Sequence, residues 1–187
     1  AKIVYVSGRY AYVVHADNLK SLQKFDISTS SPALVGSANL VGTSAGLYIS
    51  GNYAYVTSSA QGSFSVFDIS TSSPAQISSL VTGGTTRGVY VSGRYAYVVQ
   101  STGGALKVID VLNPLAPKIV GSVTAALNSF EVQVSGRYAY VLNQSEASLN
   151  VYDVGGIETT SANVHSLEAG NLQVRNNIIA QGQLQVI

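Results

Sequence analysis

The side chains that could do chemistry in this chain fall into two groups, those that recur and those that do not. Asp26, Asp68, Asp110 and Asp153 return at intervals of 42 or 43 residues, and Arg9, Arg94 and Arg137 fall on the same period. A carboxylate repeated in register at the end of a strand serves the scaffold, accepting hydrogen bonds from the amides of the following turn. The unrepeated set is small. Lys2 and Arg87 stand five residues ahead of a recurring Ser-Gly turn, and Glu131 stands four ahead of another. His15, Asp17, Asn143 and Glu146 fall in the connections that follow a strand. A guanidinium, an ammonium and a carboxylate gathered near tyrosines could hold a sugar or a small anion by directional hydrogen bonds. These seven residues are the expected ligand contacts.

Other chemistries find little support. Ten basic side chains balance nine acidic ones, so no electrostatic footprint for nucleic acid exists. Cysteine is absent, which excludes disulfides, thiolate metal sites and a thiol nucleophile. The two histidines, His15 and His165, would need carboxylates already used by the repeats to build a transition-metal site, so neither metal nor cofactor is expected. No phosphate loop, HExxH, GxSxG or DxDxDG calcium pattern occurs. A glycosidase would need two unrepeated carboxylates about 5–9 Å apart, and only Asp17, Glu131 and Glu146 qualify. No catalytic residue is assigned. Asn143-Gln144-Ser145 matches an N-glycosylation acceptor, and His15 reads as an exposed loop residue.

These residues have to be positioned by strands. VSGRYAYVV at 6–14 returns as ISGNYAYVT at 49–57, VSGRYAYVV at 91–99 and VSGRYAYVL at 134–142. Each is followed by a second block: LQKFDI at 22–27, FSVFDI at 64–69, LKVIDV at 106–111 and LNVYDV at 149–154. The apolar period within a repeat is two and Val, Ile, Tyr and Phe dominate, so the units are strands. In the first repeat strand A is expected at 3–7, B at 10–16, C at 21–27 and D at 33–39. Ser-Gly supplies the A-to-B hairpin, and Pro32, Pro74 and Pro117 open strand D, where a missing N–H does no harm.

The repeats run over about 3–42, 46–86, 88–127 and 130–154, with a last strand expected within 157–167. Both faces of each unit are apolar, because Val4 and Val6 point one way while Tyr5 points the other. Such units stack radially, so the expected fold is an all-β β-propeller of four-stranded antiparallel blades with a β-rich tail. Most of the twelve tyrosines, such as Tyr10 and Tyr12 with their copies and Tyr5, occupy repeated positions and are expected to pack between blades. The B-to-C and D-to-A connections would then share one rim of the channel, and the seven unrepeated side chains lie on them. Three closures are open: a four-blade ring, a fifth blade from the tail, or an arc whose ends need a partner chain.

The pattern VSG(R/N)YAYV, a gap, (L/F)xV(I/F/Y)D(I/V) and a Pro-led strand resembles the LVIVD-repeat β-propellers over about residues 3–154. The resemblance implies a propeller on a prokaryotic cell surface or in the secreted fraction, and it implies no common activity. From 155 to 187 Tyr and Phe disappear while NLQV at 171–174 is echoed by QLQV at 183–186. That tail either completes a blade or starts a fibrous stem, resembling the stems of bacterial surface proteins and phage fibres. The chain opens on Ala1-Lys2-Ile3 inside a repeat and is expected to be a processed or cropped piece of something longer. No apolar run approaches the roughly 20 residues that span a bilayer.

The functional expectation is a non-enzymatic interaction module at the cell surface or outside it, presenting variable loops to a glycan or protein. The alternatives are a glycoside hydrolase or lyase using rim carboxylates, and the head or spacer of a surface fibre that oligomerises through 155–187.

Overall fold

The computed structural model describes residues 2–15 and 21–155, and every regular element among them is a strand. The first sheet is an antiparallel meander of β1 (Ile3–Ser7), β2 (Tyr10–Val14), β3 (Ser21–Asp26) and β4 (Ala33–Asn39). The second repeats it with β5 (Ser44–Ser50), β6 (Tyr53–Ser58), β7 (Ser63–Asp68) and β8 (Ala75–Val81). The third has β9 (Thr86–Ser92), β10 (Tyr95–Gln100), β11 (Ala105–Asp110) and β12 (Lys118–Thr124). The fourth has three strands among the described residues, β13 (Ser129–Ser135), β14 (Tyr138–Asn143) and β15 (Ser148–Asp153). The fourth strand expected within 157–167, and the tail to 187, lie outside the described residues.

The hairpin between the first two strands of each sheet follows from one glycine. Ser7 pairs with Tyr10 across a two-residue loop, and Gly8 takes a φ of +58°, the backbone of a type II′ turn. Gly51, Gly93 and Gly136 repeat it within two degrees. The turn after the third strand is held by the recurring aspartate. Asp26 accepts from the Ser28 amide at 2.9 Å, Asp68 from Ser70 at 2.8 Å, Asp110 from Leu112 at 2.9 Å and Asp153 from Gly155 at 3.0 Å. The arginine of the hairpin reaches the same carboxylate in three sheets, Arg9 to Asp26, Arg94 to Asp110 and Arg137 to Asp153. Strands β4, β8 and β12 each begin directly after a proline.

Successive sheets pack face to face and share three apolar cores. Tyr12, Val14 and Leu22 of the first sheet meet Leu47, Ile49 and Phe67 of the second. Phe64 and Val66 meet Val89, Val91 and Ile109. Val99 and Leu106 meet Val132, Val134 and Val141. The first strands of neighbouring sheets, β1, β5, β9 and β13, touch in series, so they lie on the inside of the arc. Along them Tyr5, Tyr48 and Tyr90 form a ladder with ring centroids 5.3 and 4.8 Å apart. Burial, with hydrogen bonds to the tyrosines on either side, pushes the Tyr48 phenol well above its ordinary range. In the fourth sheet Gln133 takes the place of the tyrosine.

Several boundaries differ from expectation, strand β3 among them, which ends at Asp26 rather than at residue 27. Strand β2 ends at Val14 rather than at residue 16. The inner strands β5, β9 and β13 start one or two residues earlier than the repeats suggest, at Ser44, Thr86 and Ser129. Those earlier residues are small hydroxyls. Thr86 Oγ1 donates to the Ser58 carbonyl at 2.7 Å, and Ser129 Oγ donates to the Ala126 carbonyl at 2.7 Å. Such contacts extend the strand past its apolar part, which is what periodicity follows.

Candidate functional site

A fault in pairing marks the site. In the second and fourth sheets the ladder between the inner strand and its neighbour skips one residue. Ser44 pairs with Ser58 and Gly46 with Thr57, leaving Ala45 out; Ser129 pairs with Asn143 and Glu131 with Leu142, leaving Phe130 out. The third sheet shifts at the same place, around Arg87. A bulge bends the strand and re-aims the side chain of the extra residue. The positions that differ most between repeats, Lys2, Ala45, Arg87 and Phe130, therefore coincide with the bulges or their equivalent.

Strand convergence at this rim demands small residues. A Cβ at Gly46 would lie 2.7 Å from the Arg87 carbonyl oxygen, and one at Gly88 would lie 2.8 Å from the Glu131 Cα. The inner strands thus approach backbone to backbone where the bulges sit.

Lys2 and Glu131 line one cavity of 200 Å³ with Ile3, Ala45, Gly46, Leu47, Val89 and Phe130. The Lys2 ammonium donates to the Ser44 carbonyl at 2.8 Å. Burial, and then the charge of Arg87, lower its pKa below the ordinary lysine value. Glu131 moves the other way: burial raises its carboxyl, and the Val132 amide, donating to Oε1 at 3.3 Å, offsets only part of that. The Arg87 guanidinium lies 5.7 Å from the centre of the Phe130 ring and donates from Nε to Ser101 Oγ at 3.4 Å. A cation, a carboxyl held towards its neutral form and an aromatic face are therefore grouped on one rim. Such a set can donate to and accept from hydroxyls while stacking an apolar ring face.

The other expected contacts do not join this group. Asn143 is buried, not displayed: its amide donates to the Leu127 carbonyl and its Oδ1 accepts from the Glu146 amide at 2.9 Å. That engagement also argues against Asn143-Gln144-Ser145 as a glycan acceptor, since both polar ends of the side chain hold the loop. Gln100, its counterpart in the third sheet, donates to the Thr82 carbonyl at 3.1 Å and is buried too. In these two sheets the side-chain amide at this position ties down the connection before the inner strand, through different carbonyls. Glu146 is exposed on its loop, with Ser148 Oγ 3.5 Å from its Oε2, and does not line the cavity at Glu131. His15 is half-buried rather than exposed, its Nε2 3.1 Å from Gln23 Oε1 on the neighbouring strand. Asp17 lies outside the described residues.

One functional-looking group escaped notice in the sequence. Lys24 is 3% exposed, yet it donates to the Ile69 and Thr71 carbonyls of the next sheet at 2.8 Å each and stands 4.2 Å from the Tyr10 ring centre. It lines a cavity of 340 Å³ on the hairpin rim, with Tyr10, Asn52 and Ser70. Its signal was available, because the equivalent positions are Val66, Val108 and Val151. In the second repeat, which carries Asn52 where the others carry arginine, the Asp68 carboxyl is lowered first by Ser70 and only last by the charge of Lys24.

Comparison with known proteins agrees with this architecture. The family model described as LVIVD repeat matches four times, over residues 1–39, 41–82, 83–125 and 128–155. The sequence matches no curated protein. Among solved structures, the chain is similar to the computationally designed Ika4 protein at 15% identity and TM-score 0.68, covering 81% of this chain and 89% of that one. Hydrazine synthase of Kuenenia stuttgartiensis matches at 21% identity and TM-score 0.69, over 79% of this chain and 43% of that one. BamB of Moraxella catarrhalis matches at 20% identity and TM-score 0.61, over 79% and 44%. The chain thus spans less than half the length of these two natural proteins. Likeness at such identities carries the fold, a repeat-built β-propeller scaffold, and carries no activity.

Proposed function

The chain belongs to the LVIVD-repeat family, and we propose that in this member the propeller is a non-enzymatic binding scaffold that presents its bulged rim to a glycan or protein ligand. The observation that carries the reading is the gathering of Lys2, Arg87, Phe130 and Glu131 on one rim, at two adjacent positions that differ from repeat to repeat. Positions held constant serve the scaffold, and side chains that depart from the repeat without a structural task are available for recognition. Asn143 and Gln100 have such a task; Arg87 and Glu131 have only weak protein partners, at 3.4 and 3.3 Å.

A hydrolase would need a second carboxylate beside Glu131, and among the described residues Glu131 is the one carboxylate that lines that cavity. The favoured ligand is a polyhydroxyl or amide-bearing group that donates to Glu131 and accepts from Lys2 and Arg87, with an apolar face on Phe130. We place the protein on the cell surface or outside it. The family resemblance supports this, and a thiol-free scaffold is indifferent to the redox state of its surroundings.

The test is direct binding of the fluorescently labelled chain to an immobilised glycan array and to purified surface polysaccharide, repeated with Arg87→Ala and Glu131→Gln. The expected result is saturable binding weakened at least about tenfold in each variant, the loss of one charge-assisted hydrogen bond of about 1.5–3 kcal/mol. Saturable binding unchanged in both variants would move the site elsewhere, and glycoside cleavage abolished by Glu131→Gln would overturn the non-enzymatic reading.

A further inference from the structure

Charged side chains in this scaffold are paired by a rule that the rim breaks. Among the described residues, Arg9, Arg94 and Arg137 each bind an aspartate of their own sheet. Arg87 has no such partner: its Nε meets Ser101 Oγ at 3.4 Å, and neither Nη is engaged by a described residue. Lys2 donates to the Ser44 carbonyl at 2.8 Å, and no described carboxylate reaches it. Glu131 lines the same cavity as Lys2 and accepts from the Val132 amide at 3.3 Å. Three ionisable side chains thus share one rim without forming an ion pair among the described residues. Glu131 is seated against the β9 backbone beside Arg87, since a Cβ on Gly88 would lie 2.9 Å from its Oε1. The bulge that leaves Phe130 out of the ladder turns its ring, 45% exposed, towards the Arg87 guanidinium.

Cations without an anion beside them repel, and Arg87 helps, after burial, to lower the Lys2 pKa. An anionic ligand held by Lys2 and Arg87 relieves that repulsion. Two cations and one carboxylate leave a single net positive charge when Glu131 is ionised, so a monoanion matches the set, whereas a dianion would face the Glu131 carboxylate too. A carboxylate also fits the planar fork of a guanidinium. Phe130 offers an apolar face to the C–H side of a sugar ring, and Glu131 a hydrogen-bonding partner to its hydroxyls. We propose that this rim takes an acidic sugar: the carboxylate of a hexuronic or sialic acid lies against Arg87 and Lys2, the ring on Phe130 and the hydroxyls on Glu131. The proposal rests on the rim as the binding site and narrows its ligand from glycans in general to carboxylated ones.

The experiment is titration calorimetry of the full 187-residue chain with trigalacturonate, a hyaluronan tetrasaccharide and sialyllactose, each beside its methyl ester. The ester keeps every hydroxyl and removes the charge. At least one acid should bind saturably and about tenfold or more tighter than its ester, the fold-change of one charge-assisted hydrogen bond. Arg87→Gln should bring acid and ester level. Lys118→Gln, the same loss of charge on an exposed residue of β12, should leave the preference intact. The comparison of acid with ester needs no variant, and unchanged circular dichroism checks that Arg87→Gln is folded. Acid and ester bound equally overturn the proposal, and if Glu131→Gln then weakens both, the rim stands as a site for neutral glycans. A preference that survives Arg87→Gln overturns it by placing the carboxylate elsewhere. Displacement by acetate or phosphate at the concentration of the sugar overturns it too, because the site would then take any small anion. Binding of none of the three sugars in either form also overturns it, and the glycan array decides the rim reading separately.

Discussion

At the residue scale, burial and pairing push carboxylates in opposite directions, and the two effects separate along the pH axis. Asp26, Asp68, Asp110 and Asp153 all lie below the ordinary aspartate value. In Asp26, Asp110 and Asp153 the first cause is the arginine of the hairpin, and in Asp68 it is Ser70. A depressed folded pKa gives stability that is present above the unfolded value of about 3.9 and is lost as the pH falls below it. The urea midpoint of the unaltered chain should therefore drop on acidification below about pH 4. Glu131 has the reverse sign. Its carboxyl is raised by burial, so the folded state holds the proton longer and stability declines as pH rises from about 4.3 through the raised value. Glu131→Gln should leave the midpoint nearly unchanged at pH 4 and raise it at pH 7, measured on the same urea curves. A midpoint lowered at pH 7 would mean that the ionised carboxylate has a stabilising partner. Comparison of the repeats singles out Lys2, Arg87 and Glu131 because each departs from its counterparts at the rim, although Lys2 also ties the first sheet to the Ser44 carbonyl of the second. It could not place Asn143, because variation between repeats does not separate a displayed side chain from one turned inward: Gln100 and Asn143 are both buried, and each donates to a carbonyl in the connection before its inner strand.

At the scale of the element, each turn and bulge carries a steric condition that single residues meet or break. Gly88 sits where a Cβ would lie 2.8 Å from a neighbouring backbone atom and cannot be accommodated by a side-chain shift. Gly88→Ala should lower stability by about 1–3 kcal/mol, the cost of forcing atoms into a packed contact. It should also widen the cavity mouth, so ligand binding would fall with it. Ala147 is the opposite case. It holds a φ of +46° at the place where the second and third sheets have Gly62 and Gly104, at +55° and +49°. Ala147→Gly should stabilise the fourth sheet by about 1 kcal/mol, the penalty of a left-handed conformation for an L-residue. Denaturant midpoints of the two variants check both signs. The elements themselves were legible: Ser-Gly, the aspartate and the proline each name a turn, and the alternation names the strands between them. The bulges were not legible, because a residue left out of the ladder leaves the alternation on either side intact and shifts only the register. Lys24 stands out as a lysine where the other repeats have valine, but its task is not legible. Its partners are carbonyls of the next sheet, and a contact between sheets has no trace in the spacing of one repeat.

For the whole molecule, the cost of a substitution depends on whether its sheet has a neighbour. Leu106 and Leu149 occupy the same place in the third and fourth sheets, and Leu106 is 0% exposed against the fourth sheet. Leu106→Ala should cost about 2–5 kcal/mol at any protein concentration, the range for a leucine truncated in a packed core. Leu149 is 57% exposed among the described residues, so Leu149→Ala should move the denaturant midpoint little, as a substitution outside a packed core does. Urea curves of the two variants measure the contrast. A large loss for Leu106→Ala beside a small one for Leu149→Ala would place the stability of the four sheets in the cores between them, whereas equal losses would mean that the face of Leu149 is covered in solution.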